Sequence, residues 1–179
     1  MPENNARGGP EAWDKREDIL SRLAENCRLQ VVRPVLMQMG MHSPSAEEIL
    51  MMIAAHESHF VHRVQEGGGP ARGLWQMEPV EFHDIRDRYF PLRPHVRAAV
   101  RGVIPAAAAF TMDMLVSDDR FACAMARVKL WKVPEPLPPP DDLEGMAVYS
   151  KKYWNSSLGK ATPEKYIADY RRLVIDESG

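Results

Sequence analysis

The chain has 179 residues, with 23 Lys and Arg against 25 Asp and Glu and a formal net charge of −2. That length suits one domain with a core large enough to need no staple, and the near-neutral balance excludes a general nucleic-acid binder. A hydrophobic share of 45% with 27% charged residues excludes a disordered chain.

In chain order, residues 1–9 are polar and glycine-rich and are expected to form a disordered tail, followed by a single domain over 10–179. The start, MPENNARGGPEAW, has no cationic stretch followed by an apolar run and so is not a secretory signal. From Pro10 to about Met39 the apolar residues Trp13, Leu20, Leu23, Ala24, Cys27 and Val31 fall at helical spacing, with Pro34 kinking or dividing the helix. Ser45-Ala46-Glu47-Glu48, with Pro44 just ahead, has the form of a capping box for a helix running through Phe60. Glu66 to Pro70 breaks it with a loop, and Gly73 to Gln76 is expected to be a short extended segment.

Val80 to Tyr89 is expected to be a helix ended by Pro91. Pro94 to Val103 and Pro105 to Val116 follow as two short helices. The run from Ile104 to Met114 is the longest apolar one, but it contains Pro105 and Thr111 and is too short to span a bilayer. Ser117 is placed to cap a helix carrying Phe121, Ala124, Met125, Val128 and Trp131 on one stripe, which Pro134 stops. Residues 133–140 form a proline-rich strap, extended and laid across the surface. Asp141 to Glu144 opens a helix to about Trp154, residues 155–161 turn, and Thr162-Pro163 starts the last helix, through Val174. The fold class expected is mainly α, with a minimal β segment after the helix that carries Glu57. Cys27 and Cys123 sit in apolar-periodic stretches, which suits buried reduced thiols. No CxxC is present for a zinc knuckle or redox pair.

Glu57 is the informative residue. On a helix at about 100° per residue it projects from the middle of the apolar stripe of Leu50, Ile53, Phe60 and Val61. A carboxyl there loses solvation, its pKa rises, and it becomes fit to act as general acid and base. The structural alternative is a buried ion pair with Arg72 or Arg127. Downstream, Gly73-Leu74-Trp75-Gln76 combines a glycine for close approach, an aromatic face for a sugar ring, and an amide for hydroxyl or N-acetyl groups.

The sequence HESHF, followed after a glycine-rich loop by ARGLWQMEP, resembles the soluble lytic transglycosylase and goose-type lysozyme group. That group has an E-S-x-F motif followed by G-L-x-Q. The later stretches DDRFACAMARVKLW, PEPLPPP and GMAVYSKKYWNSSLGKATPEKYIADYRR are similar to lysozyme-like proteins of tailed bacteriophages, so the resemblance covers roughly residues 45–175. It implies a lysozyme-like fold, Glu57 as the catalytic acid/base, Ser58 beside it, and Gly73, Leu74, Trp75 and Gln76 along the sugar cleft. The third motif departs from the group's pattern: Ala147-Val148-Tyr149-Ser150 stands in its place. Tyr149 is the candidate for the tyrosine near the acid, with Tyr153 as the alternative.

The activity implied is cleavage of the β-1,4 bond between N-acetylmuramic acid and N-acetylglucosamine, most simply as a lytic transglycosylase with one carboxyl and no cofactor. Hydrolysis would call for a second carboxylate, for which Glu66, Glu78 and Asp84 are available. A different reading keeps the fold without activity, as a phage virion or tail protein or a glycan-binding module. His56, Glu57 and His59 do not make a zinc motif, because H-E-x-x-H needs its second histidine at the position held by Phe60. The expected partners are peptidoglycan glycan strands and, alternatively, phage virion or tail proteins, with no nucleic acid and no membrane insertion. Synthesis is expected in the cytoplasm, with the product virion-associated or released to the cell wall. Arg86, Arg88, Arg93, Arg97 and Arg101 form either a solvated face or a patch for anionic wall polymers.

Overall fold

Proline sets the path of the first helices. The computed structural model describes residues 10–155 and 160–175. The tail expected at 1–9 lies outside them, as does 156–159 of the expected turn. Helix α1 (Pro10–Cys27) passes through a π-helical turn, Arg28–Val32, into α2 (Arg33–Gln38), which has Pro34 in its first turn. The arrangement recurs where α4 (Pro79–Asp84) passes through the π-turn Ile85–Tyr89 into α5 (Phe90–Leu92), which has Pro91 in its first turn. Each π-turn ends two residues before a proline. Proline lacks an N–H and its ring presses on the carbonyl four residues back, so a widened turn there lets the helix continue. Pro91 therefore does not end its helix, contrary to the sequence expectation. The chain leaves the helix at Arg93 (φ −139°, ψ 65°), and Pro94 begins α6 (Pro94–Gly102).

Helix α3 (Pro44–Ser58) is the buried centre of the molecule. Its cap is Ser43, whose Oγ accepts from the N–H of Ala46 at 3.0 Å, with Pro44 in the first turn. The cap thus lies two residues ahead of the expected Ser45, and Glu47 and Glu48 are free to pair elsewhere. Every residue from Ile49 to Ala55 is fully buried, so the single apolar stripe expected of this helix does not exist. Helices α8 (Asp119–Trp131), α9 (Leu143–Tyr153) and α10 (Pro163–Leu173) pack around it. Asp118 caps α8, where Ser117 was expected. Ser117 instead closes α7 (Met112–Ser117), so the helix expected over 105–116 begins only at Met112. Trp131, expected on the apolar stripe of α8, is 46% exposed. Thr162 caps α10 as its sequence predicts, and Asp142 caps α9 one residue after the Asp141 expected from the capping box.

The described residues are mainly helical and contain no sheet. The expected β segment reduces to two isolated antiparallel bridges, Val64 with Arg72 and Arg72 with Met77. Residues 73–76, expected to be extended, form a tight turn instead, with positive φ at Gly73 (79°) and Gln76 (47°). Among the described residues no helix is long and apolar enough to cross a membrane. Cys27 and Cys123 are buried free thiols.

Two polar clasps hold the helices around α3. Glu47, 4% exposed, accepts from Arg28 at 3.0 Å, from Arg33 at 2.7 and 3.0 Å, and pairs with His42 at 3.0 Å. Burial opposes its charge, but these hydrogen bonds outweigh it and hold the carboxyl at about 2. Arg28 also binds Glu48, which takes the phenol of Tyr170 from α10. On the other side, the segment between α8 and α9 is clipped over α9. There the carbonyl of Glu135 accepts from Tyr149, and its carboxylate meets Lys152 and Tyr153.

Candidate active site

Glu57 lies in the last turn of α3, where the helix emerges from the core. The chain then turns sharply, because His59 (φ 50°) and Phe60 (φ 60°) both take left-handed conformations. Non-glycine residues rarely do so, and burial of Phe60 offsets the strain. Ser58, 1% exposed, closes the helix end: its Oγ donates to the carbonyl of Ala54 at 3.1 Å and accepts from the N–H of Phe60 at 3.2 Å. Ser58 therefore shapes the turn and does not reach the site, a correction to its expected role beside the acid.

A groove of about 610 Å³ opens at this point, lined among others by Glu57, His62, Gln76, Glu78, Lys129 and Trp154. Gln76 has the third non-glycine positive φ among the described residues. Its amide donates to the carbonyls of His62 at 3.1 Å and Gly73 at 2.8 Å. Both amide hydrogens are thus used within the protein. Gly73 is needed sterically, since a Cβ there would lie 2.7 Å from the carbonyl oxygen of Leu115. Leu74 is buried and does not line the groove.

Trp75 is not a sugar platform. It is 1% exposed, and its indole N–H donates to the carbonyl of Leu50 in α3 at 2.9 Å. Its own carbonyl accepts from the indole of Trp154 at 3.0 Å. The carbonyl of Trp154 in turn accepts from Lys129 at 3.0 Å, and that ammonium sits 4.1 Å from the centroid of the Trp154 ring. The motif tryptophan is thus the anchor of a chain that ends at a groove-lining lysine.

Tyr149 is likewise displaced from its expected place. It is 3% exposed and its hydroxyl is committed to the carbonyl of Glu135, while Tyr153 binds the Glu135 carboxylate. The tyrosine at the acid is Tyr166 of α10, which donates to Glu57 Oε1 at 3.1 Å. Behind it the ring of His56 lies 4.1 Å from the Tyr166 ring. His56 Nδ1 meets Asp169 Oδ2 at 2.8 Å, with His59 on the other carboxylate oxygen at 3.7 Å. His62 turns the other way, toward Glu66.

Burial is the chief influence on Glu57 and raises its pKa above the usual 4.5, with Glu78 adding to the rise, while His56, Tyr166 and Lys129 pull against it. Neither arginine considered as an ion-pair partner reaches it. Arg72 donates to the carbonyls of Gly69 and Ala71, and Arg127 donates to the carbonyl of Met41. Comparison with protein-family models, curated proteins and solved structures finds no match.

The groove must therefore be understood from its own chemistry. It offers a half-buried carboxyl with an elevated pKa, oriented by a phenol and reachable from solvent, which is the equipment of a general acid/base. Of the other carboxylates considered, Glu66 and Glu78 line the same groove. Asp84 does not, because Lys132 binds it at 2.6 Å together with Glu81 at 2.8 Å. A larger concavity of about 1020 Å³ lies between α1 and α10, but its carboxylates, Glu17, Asp18 and Glu25, are exposed. Size alone does not make it the better candidate.

Proposed function

We propose that the chain is a glycan-cleaving enzyme of lysozyme-like fold acting on peptidoglycan, with Glu57 as its acid/base. The observation that carries this is the state of Glu57: sheltered, without an ion-pair partner among the described residues, held by Tyr166, and opening into a groove beside Gln76. Backbone strain at Gln76, which lines the groove, and at His59 and Phe60, in the turn that follows Glu57, supports it independently, because such conformations persist where function requires them. The resemblance in HESHF and GLWQ directs the reading to the β-1,4 bond between N-acetylmuramic acid and N-acetylglucosamine.

In the lytic version, protonated Glu57 gives its proton to the glycosidic oxygen as the C1–O bond breaks and positive charge develops at C1. The Glu57 carboxylate then takes the proton of the C6 hydroxyl, whose oxygen closes on C1 to leave a 1,6-anhydro ring. Tyr166 holds the carboxyl through both steps. Glu78 favours a second reading, hydrolysis, since it lines the same groove and could activate water in place of the C6 hydroxyl. Zymography on peptidoglycan tests the activity. The native chain should clear the gel and Glu57→Gln should not; equal clearing by both, or none by the native chain, rejects the proposal. Mass spectrometry of the products then separates anhydro ends from reducing ends.

A further inference from the structure

The groove has one feature that the acid/base chemistry leaves unused. Lys129 is the one lysine or arginine among the described lining residues, and it is half-buried in a groove that Glu57, Glu66 and Glu78 also line, with Glu57 and Glu78 acting on its charge. Even so, it makes no salt bridge with any described residue. Its described partners are the Trp154 carbonyl at 3.0 Å and the Trp154 ring. An ammonium has three donors, and one is used by that carbonyl. Desolvation lowers its pKa, against the pull of Glu81, Glu57 and Glu78, so the burial is not offset by a matched ion pair.

Gln76 sharpens the question. An N-acetyl sugar presents an amide carbonyl, its strongest neutral acceptor, and the Gln76 amide hydrogens are both spent on His62 and Gly73 and do not meet it. Recognition of the acetamido oxygen needs another donor, and a charge-assisted one is about twice as strong as a neutral one. We propose that Lys129 is the acetamido-recognition residue of the groove, its ammonium fixed by Trp154 so that its free donors meet the N-acetyl carbonyl oxygen of a sugar bound beside Glu57. This deepens the glycan-cleaving reading and rests on it for the sugar class. The tryptophan chain gives the fixing its precision: α3 holds Trp75, Trp75 holds Trp154, and Trp154 holds Lys129.

The test is binding by calorimetry of two probes, the N-acetylglucosamine tetramer and the glucose tetramer of the same linkage. The receptor is the full chain carrying Glu57→Gln, so that nothing is turned over. Adding Lys129→Met should weaken the acetylated tetramer about tenfold or more and leave the weak binding of the glucose tetramer unchanged. Lys129→Arg should restore much of the loss, because it keeps charge and donors. As a check that needs no substitution at Lys129, the ¹⁵Nζ resonance of Lys129 in the Glu57→Gln chain should move on titration with the acetylated tetramer. Equal binding by Lys129→Met, an equal loss for both probes, a static Lys129 resonance, or no binding of the acetylated tetramer would each overturn the proposal. Failure of the enzymatic reading is distinguishable: a native chain that clears no peptidoglycan yet shows Lys129-dependent acetamido selectivity keeps the subsite and loses the catalysis.

Discussion

The indole N–H of Trp154 donates to the backbone carbonyl of Trp75 at 3.0 Å. This contact joins the end of α9 to the loop that carries the GLWQ stretch, and through Trp75 to Leu50 in the central helix. Trp75 is therefore a structural keystone of the groove, and its replacement should show in stability. Trp75→Phe removes the bond to Leu50 and part of a fully buried ring, at a cost of about 2–3 kcal/mol. For a chain of this size that lowers Tm by roughly 4–12 °C. Thermal unfolding followed by circular dichroism measures it; an unchanged Tm with lost glycan binding would return Trp75 to the sugar.

Much of this was legible in the sequence where the signal is local. Thr162-Pro163 marks a helix start through its own backbone bonds and sits where expected, and the cap of α9 falls at Asp142, one residue past the expected Asp141. Glu57 stood out because a carboxyl is anomalous among apolar neighbours, although the single-stripe picture behind that inference fails for a helix buried all round. What was not legible depends on pairing between distant segments. Tyr166 and Tyr170 are one helical turn apart on α10, and they reach Glu57 and Glu48, nine residues apart on α3. No local pattern announces that match across more than 100 residues. Tyr149 looked right by motif position, but the strap captured its hydroxyl through Glu135.

Glu57→Gln should separate activity from stability. The folded carboxyl has a raised pKa, with burial as the main cause, so the folded state holds its proton more tightly than the unfolded state. Stability from this group is therefore lost as pH rises from the unfolded value of 4.5 through the folded one. At pH 7 the amide variant escapes that penalty and should melt no lower than the native chain, while below pH 4.5 any advantage disappears. Clearing activity should fall by about 10²- to 10⁴-fold. Paired melts at pH 4 and pH 7 check the sign; a variant markedly less stable at pH 7 would mean that the Glu57 charge is structural.

The groups acting on the Glu57 charge come from four segments: His56 beside it on α3, the Tyr166 hydroxyl on α10, Lys129 on α8 and Glu78 ahead of α4. A general acid works only while protonated, so activity falls as pH rises through its pKa. Lys129 favours the ionised form, and Lys129→Met should move the alkaline limb of the kcat/KM profile to higher pH. Lys129→Arg should leave the limb near its native position. A lysine that served only packing would lower the whole profile without shifting it.

Gly73 and Gly40 make an internal comparison of glycine requirements. Both have positive φ, 79° and 67°, but a Cβ at Gly73 would lie 2.7 Å from the Leu115 carbonyl oxygen, whereas one at Gly40 meets nothing within 4 Å. Gly40→Ala carries only the left-handed penalty of about 1–2 kcal/mol. Gly73→Ala adds a backbone clash in the turn that places Gln76, so it should cost clearly more and also reduce clearing. Chemical denaturation of the two variants measures the difference, and equal losses would show that the Leu115 contact relaxes freely.

Glu47 should govern acid stability. Burial works against its charge, yet the hydrogen bonds from Arg33, His42 and Arg28 prevail and hold it at about 2, against 4.5 when free. A depressed carboxyl contributes stability above the unfolded value and loses it as pH falls from 4.5 toward 2. Glu47→Gln removes the charge and leaves Arg33 without its carboxylate, at a cost of roughly 3 kcal/mol at neutral pH. Arg28 keeps Glu48, so the clasp from the π-turn to α3 is weakened rather than lost. The difference between native and variant should therefore be largest near pH 7 and shrink steadily below pH 4.5. Denaturant unfolding at four or five pH values traces the curve, and a gap that stays constant down to pH 2 would assign the acid sensitivity to other carboxylates.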